Sequence, residues 1–231
     1  MREGCAVITI SMIVGTVLIF LLMTKLYGRF STPFLFPVLT ATILIIFLLK
    51  LFSFSYETYM SGAKWVDAML GPAVVSMAYP LYTQRTIIKR NFTTILTSVT
   101  VAMLSGLVSI IIFAKLLNLK NDFLLSLLPK SITTPVAMRI SGAIGGIPSL
   151  TAVFVIVAGI AGALLGPFIF KICRIEKSIS RGISMGSASH GFGVSKLSEY
   201  GEQAMSMGSV SMTLSAIIGA FVCPVVALLF Q

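Results

Sequence analysis

Five uncharged segments, each long enough to cross a lipid bilayer, dominate this 231-residue chain. They cover residues 5–24, 30–49, 91–114, 140–170 and 203–231. A membrane-spanning helix needs about 20 mostly apolar residues. Hydrophobic residues make up 57% of the chain and charged residues only 10%, whereas soluble domains are roughly a quarter charged. The sequence therefore predicts an all-α, polytopic integral membrane protein that lies in a lipid bilayer.

The apolar segments predict about six transmembrane helices in a single membrane domain over residues 1–231. No polar stretch is long enough to fold alone, and residues 53–67 are expected to form a polar connection. Four helices fall within residues 1–118, at about 5–25, 32–52, 68–84 and 92–116. Two more follow at about 147–172 and 204–230.

The positive charge is concentrated in short connections. The net charge is +10, which in a soluble protein would suggest nucleic acid, but membrane proteins collect Lys and Arg in their cytoplasmic loops. Nine basic residues and one acid, Glu176, fall on one predicted side: Lys25, Arg29, Arg85, Lys89, Arg90, Lys171, Arg174, Lys177 and Arg181. We therefore expect that side to be cytoplasmic, both termini to lie outside, and no nucleic-acid partner.

Two stretches among these helices are too polar to be ordinary membrane helices. Leu128–Pro148 and Arg181–Gly201 are rich in Gly, Ser and Thr, and each precedes a long apolar run. Broken backbone is tolerated at membrane depth only where protein or a watery cavity surrounds it. A pair of such breaks is the best sequence indication of a transporter's substrate site. We predict two re-entrant hairpins, at about 124–145 and 180–200.

A weak internal repeat relates the two hairpins. At an offset of 57 residues, Gly162–Pro167 aligns with Gly219–Pro224, and Lys130–Pro135 aligns with Ser187–Phe192. The repeated units would be residues 119–175 and 176–231, each a hairpin followed by one crossing helix. One crossing per unit is an odd number, so the units must be inverted relative to each other. Chance similarity between Gly- and Ala-rich helices is the alternative.

The hairpins carry residues suited to a small anion. A half-helix that ends inside the membrane presents unpaired N–H groups and the positive end of its dipole. Hydroxyls add donors, one lysine adds charge, and glycines allow close approach of a ligand. The predicted binding residues are Lys130, Ser131, Thr133 and Thr134 in the first hairpin, and Ser187, Ser189, His190 and Gly191 in the second. Together they would suit a small carboxylate, and the lack of Asp or Glu there argues against a cation site.

Structural explanations exist for the same residues. Ser, Thr and Gly are common at tight membrane helix contacts, and Lys130 could extend to the headgroups. His190, the only histidine, is a candidate for proton coupling or for a structural hydrogen bond. Pro72 and Pro80 predict a kinked third helix, in which Ser76 and Tyr79 either line the cavity or pack.

No enzyme, metal or cofactor motif is recognisable. The Ser187–Gly191 run places Ser and His too close in sequence for a catalytic triad, and no carboxylate is placed to orient the histidine. Cys5, Cys173 and Cys223 follow neither metal-ligand nor disulfide spacing, and they are interpreted as packing residues.

Four motifs in order resemble the LrgB/CidB family. They are LGPAVVSMAYPLY (Leu70–Tyr82), LPKSITTPVAMRIS (Leu128–Ser141), GGIPSLTAVFVIVAGIAGALLGP (Gly145–Pro167) and MGSASHGFGVSKLSEYGE (Met185–Glu202). The resemblance covers about residues 6–230. The family comprises bacterial membrane proteins known as antiholin-like, together with the plastidial glycolate/glycerate translocator.

This resemblance implies two functions. One is transport of small monocarboxylates such as pyruvate or glycolate. The other is control of murein hydrolase activity and autolysis, with a holin-like partner of the LrgA/CidA type. The residues favour transport, because a holin has no need of inverted broken hairpins. The alternative is a non-transporting regulator that restrains a holin-like pore. A bacterial cell-membrane location is expected, and a homodimer through helix 1 or 2 is a further expectation.

Overall fold

Helices make up most of the described part of the chain. The computed structural model describes residues 2–30, 35, 37–76 and 78–230, and none of these residues forms a strand. Four helices are long and apolar enough to cross a membrane: Val7–Phe30, Phe92–Leu116, Pro148–Ile172 and Glu202–Ala227. The prediction of an all-α, polytopic membrane protein is confirmed.

Contacts divide the chain into two compact units, Met1–Ala73 and Val74–Gln231. In the first unit, α1 (Arg2–Phe30) packs against α2 (Pro37–Leu51) and α3 (Tyr56–Ala68). The expected polar connection at 53–67 is therefore mostly a helix. Its start has a local cause, because the Ser55 hydroxyl accepts a hydrogen bond from the Thr58 amide and caps the helix.

The predicted third crossing is divided. Residues 70–76 form α4 (Leu70–Ser76) and residues 78–83 form α5 (Ala78–Thr83), each too short to span a bilayer alone. Pro72 and Pro80 occupy the first turns of these helices. Proline is tolerated in a first turn but not in a helix interior, which accounts for two short helices in place of one.

Three long helices of the second unit surround the two broken segments. The long helices are α7 (Phe92–Leu116), α10 (Pro148–Ile172) and α12 (Glu202–Ala227), and α7 is preceded by the short α6 (Arg85–Arg90). The first broken segment consists of α8 (Asn121–Leu127), a loop, and α9 (Thr134–Ile144). The second is α11 (Ser178–Lys196) with a 3₁₀ turn at Leu197–Tyr200.

The first segment, hairpin 1 (residues 121–146), returns to the end of the unit where it began. The Ile147 amide donates to the Ser126 hydroxyl at 2.7 Å. The Thr151 hydroxyl contacts both the Ser126 carbonyl, at 2.9 Å, and the Ser141 hydroxyl, at 2.7 Å. These bonds join α8, the end of α9 and the start of α10, so the loop between α8 and α9 is the tip of the hairpin.

The second segment, hairpin 2 (residues 178–200), also doubles back. Arg181 near its start lies over the ring of Tyr200 at its end, with the guanidinium carbon 4.8 Å from the ring centre. Gly193 lies against the backbone and side chain of Met185. The turn between these limbs is at His190, whose φ of 40° and ψ of −132° interrupt the helix.

The two hairpins enter the unit from opposite ends. Hairpin 2 leads through Gly201 into the first turn of α12. At the other end of α12, the Asn121 side-chain amide of hairpin 1 donates to the Phe230 carbonyl at 3.1 Å. The end near hairpin 2 also carries Lys171, Arg174 and Arg181, and we call it the basic end. Opposed entry is the geometry that an inverted repeat requires.

Hairpin 2 packs on α12 through closely apposed glycines. A side-chain carbon added to Gly186 would collide with the Gly208 carbonyl oxygen and with the Ser211 hydroxyl. The Ser211 hydroxyl in turn donates to the Gly182 carbonyl at 3.3 Å. Small residues let membrane helices approach each other closely, and their hydroxyls can form hydrogen bonds across the contact. This contact therefore depends on the absence of a side chain at Gly186.

We expect Gly186→Ala to destabilise the protein by about 1–3 kcal/mol, because neither backbone nor hydroxyl can move away freely. Gly106→Ala on α7 is the matched control, since an added carbon there meets no atom within 4 Å. Thermal unfolding of the detergent-purified proteins tests this. Equal melting temperatures for the two variants would contradict the packing described above.

Candidate functional site

The tip of hairpin 2 lies against the middle of α10. Gly162 of α10 abuts the Ser189 side chain, and Gly159 abuts the imidazole of His190. Both glycines are close to the centre of a helix that runs from Pro148 to Ile172. A helix of that length is about 37 Å long, so the tip lies roughly half-way across the membrane-spanning part of the unit.

The tip of hairpin 1 reaches α12 near its centre. Ile132 is fully buried, and its side chain lies directly against Gly219 of α12. Gly219 is slightly beyond the midpoint of Glu202–Ala227, on the side from which hairpin 1 enters. The two tips therefore approach the middle of the unit from opposite ends.

His190 is held in a strained and buried conformation. Its φ of 40° is in a region that non-glycine residues seldom adopt, and only 3% of the residue is exposed. The imidazole Nε2 lies 3.0 Å from the Val155 carbonyl oxygen. A carbonyl only accepts, so Nε2 carries the proton and donates. Such strain persists only where the surroundings enforce it, and it is concentrated at functional sites.

Lys130 is the basic side chain at the tip of hairpin 1. Its side chain is half-buried and approaches the Ser131 hydroxyl at 3.5 Å. Among the described residues, the one ion pair is Lys196 with Glu199, so no carboxylate neutralises Lys130 there. A partly buried, unneutralised ammonium is a binding point for an anion.

Helix α9 begins at the tip of hairpin 1, and its N-terminus has no side-chain cap. Thr133 occupies the N-cap position, but its hydroxyl makes no capping bond. That hydroxyl is buried and has no hydrogen-bond partner among the described residues. Pro135 lies in the first turn. The first amides of a helix lack intrahelical acceptors, so this half-buried helix start offers donors and the positive end of its dipole.

The other predicted residues divide into two groups. Ser187 is buried, and its hydroxyl bonds the Ile183 carbonyl one turn earlier at 2.7 Å, which favours packing. Ser189 is buried at the tip against Gly162, whereas Ser131 and Thr134 are half-buried and Gly191 is exposed. The structure thus places the hairpin 1 residues at one tip, and Ser189, His190 and Gly191 at the other.

Ser76 and Tyr79 are exposed on α4 and α5. A role for them as cavity lining stays a prediction. The described residues contain no cluster of three or more His, Cys, Asp or Glu side chains that could hold a metal ion.

Sequence reasoning missed a buried polar residue whose hydroxyl is unpaired among the described residues. Ser215, in the middle of α12, is 1% exposed, and its hydroxyl has no hydrogen-bond partner among the described residues. Ser211, Ser215 and Gly219 recur at four-residue intervals along α12, which places them on one helix face. That pattern of small residues is visible in the sequence, but it does not show which hydroxyl lacks a partner.

A cleft opens at the basic end between α7 and hairpin 2. Its volume is about 840 Å³. Hydroxyl-bearing and charged side chains line much of it, including Thr94, Thr97 and Ser98 of α7, Arg174, Glu176 and Lys177 of the connection, and Ser180 and Ser184 of hairpin 2.

Comparison with known proteins identifies the family. A protein named uncharacterized protein YxaC from Bacillus subtilis is 52% identical over 231 residues, covering 100% of both chains. The holin-like protein CidB of Staphylococcus aureus is 36% identical over 219 residues, covering 95% of this chain and 96% of CidB. No solved structure gives a significant match. The LrgB-like family profile matches residues 16–229, and together with these relatives it shows that the chain belongs to the LrgB-like family.

Proposed function

We propose that this protein carries small monocarboxylates, of the pyruvate or glycolate type, across the bacterial cell membrane between the tips of its two hairpins. The observation that carries the proposal is the packing of two broken tips, which enter from opposite ends of one helical unit, against the central parts of α10 and α12. Lys130 lies on one tip and His190 on the other. Broken helices that meet near the membrane midplane are typical of transporter sites.

The chemistry at the tips suits a carboxylate. Lys130 supplies positive charge, and the uncapped start of α9 supplies amide donors and the Thr133 hydroxyl. Charge-assisted hydrogen bonds are roughly twice as strong as neutral ones, and a helix N-terminus favours an anion. The cleft at the basic end, with Arg174 and Lys177 on its wall, is the proposed route of access for the anion from that side.

A holin-like subunit of the LrgA/CidA type is the proposed partner, and control of murein hydrolase activity and autolysis is the proposed cellular role. The support is the name of the S. aureus relative, a holin-like protein at 36% identity over 95% of this chain. In this proposal both termini lie outside the cell, and a homodimer forms through helix 1 or 2. The effect on lysis is an indirect consequence of carboxylate flux through the protein.

The same relative supports a second function from a different class. A regulator that restrains a holin-like pore would bind its partner and carry no solute. Uptake of radiolabelled pyruvate and glycolate into proteoliposomes, with and without the holin-like subunit, separates the two. Saturable uptake supports the transporter. Its absence under both conditions, with binding to the subunit retained, supports the regulator.

Lys130→Met should raise the KM for pyruvate or glycolate uptake by about 10- to 100-fold, because a hydrogen bond to a charged group contributes about 1.5–3 kcal/mol. Lys120→Met is the matched control, because Lys120 is exposed just before α8. Initial rates in proteoliposomes measure both. An unchanged KM for Lys130→Met would place Lys130 outside the binding site.

His190→Gln tests whether proton coupling passes through the imidazole. An amide can still donate to the Val155 carbonyl but does not take up a proton, whereas an imidazole does. If proton coupling passes through His190, we therefore expect the variant to fold and to lose the pH dependence of uptake. A pH profile identical to that of the wild type would limit His190 to a structural hydrogen bond.

A further inference from the structure

Two hydroxyl groups in the interior of the second unit have no hydrogen-bond partner among the described residues. The Thr133 and Ser215 hydroxyls are 9% and 1% exposed by residue, and neither has a hydrogen-bond partner among the described residues. Buried hydroxyls nearly always have a partner, and each exception calls for an explanation. By contrast, the buried hydroxyls of Thr151 and Ser211 in the same unit are hydrogen-bonded.

Ser215 occupies a particular place on α12. One turn before it, the Ser211 hydroxyl contacts the Gly182 carbonyl of hairpin 2. One turn after it, Gly219 contacts Ile132 at the tip of hairpin 1. Residues four apart lie on the same helix face, so Ser215 lies between the contacts that α12 makes with the two hairpins. Ser211, Ser215 and Gly219 thus form one face of α12, and the central hydroxyl, that of Ser215, is unpaired among the described residues.

The second unpaired hydroxyl belongs to the residue that follows Ile132. Thr133 is the N-cap of α9 and leaves the first turn of that helix uncapped. Ile132 lies against α12 one turn from Ser215. The two orphan hydroxyls are therefore contributed by the hairpin 1 tip and by the part of α12 that this tip touches.

From this geometry we propose that Ser215 is a substrate-binding residue, the contribution of α12 to a carboxylate site that Thr133 and the uncapped start of α9 complete. The inference rests on the proposed transport function and adds a residue from outside both hairpins. The Ser215 and Thr133 hydroxyls would donate to the carboxylate, and the amides at the start of α9 would face its negative charge. A bound anion would then give both hydroxyls the partners that they lack.

Uptake kinetics with radiolabelled pyruvate and glycolate in proteoliposomes test the assignment. Ser215→Ala and Thr133→Val should each raise KM by about 10- to 100-fold, as expected for loss of a donor to a charged ligand. Ser209→Ala on the same helix is the control, because its hydroxyl already bonds the Met205 carbonyl and its loss should leave KM unchanged.

A chemical test does not depend on those variants remaining active. In protein whose three cysteines are replaced by alanine, Ser215→Cys should react with methyl methanethiosulfonate, and saturating pyruvate or glycolate should slow that reaction at least several-fold. Ser209→Cys in the same background should react at a rate that neither solute changes. A purely structural role for Ser215 predicts no protection.

The outcomes separate the two proposals. Wild-type protein without saturable uptake overturns the proposed transport and this inference with it. Wild-type uptake combined with an unchanged KM in Ser215→Ala, or with modification of Ser215→Cys that is insensitive to both solutes, overturns only the assignment of Ser215. A raised KM with solute protection confirms it.

Discussion

The second unit depends on one constraint: backbone and hydroxyl groups that water cannot reach must form hydrogen bonds within the protein. A broken helix exposes amides and carbonyls that lipid cannot bond, so it must be enclosed by protein. The long helices α7, α10 and α12 provide that enclosure. Ser126, Ser141 and Thr151 then use their hydroxyls to join the limbs of hairpin 1 to the start of α10.

Close approach of helices makes this enclosure possible. Glycines at 182, 186 and 208 bring hairpin 2 and α12 into backbone contact, and Gly159 and Gly162 admit the His190 and Ser189 side chains to α10. Without a hydrophobic driving force between helices in lipid, such contacts are the main source of cohesion. The interior is therefore close-packed along the limbs of both hairpins, and unsatisfied donors occur at hairpin 1's tip and on the adjoining part of α12.

Hydroxyls that join the limbs of hairpin 1 to α10 are hydrogen-bonded, whereas two hydroxyls near its tip are unpaired among the described residues. This contrast supports an anion-binding function. Among the described residues, Lys130 has no neutralising carboxylate, α9 starts without a cap and the Thr133 hydroxyl is unpaired, so the tip presents positive potential and free donors. His190 is fixed at the opposite tip in a strained conformation by its bond to Val155. The chain belongs to the LrgB-like family, and its relative CidB is named holin-like.

Much of the fold was predictable because its signals are local. Long uncharged runs determined the membrane class, and Gly-, Ser- and Thr-rich breaks at 128–148 and 181–201 located both hairpins, since lipid tolerates such backbone only inside protein. The same local reasoning missed α3, because a polar segment can still form a capped helix. It also merged α4 and α5 into one crossing.

Tertiary structure alone decides whether each hydroxyl has a hydrogen-bond partner. Ser187 and Thr133 are equally polar in the sequence, yet Ser187 bonds its own helix and Thr133 has no partner among the described residues. The sequence shows that Ser215 lies in a row of small residues but not that its hydroxyl is unpaired. That depends on packing between residues far apart in the chain, Ser211 with Gly182 and Gly219 with Ile132. Composition and pattern determine which segments break within the membrane. Only packing between distant segments determines which donors are left free at the point where they meet.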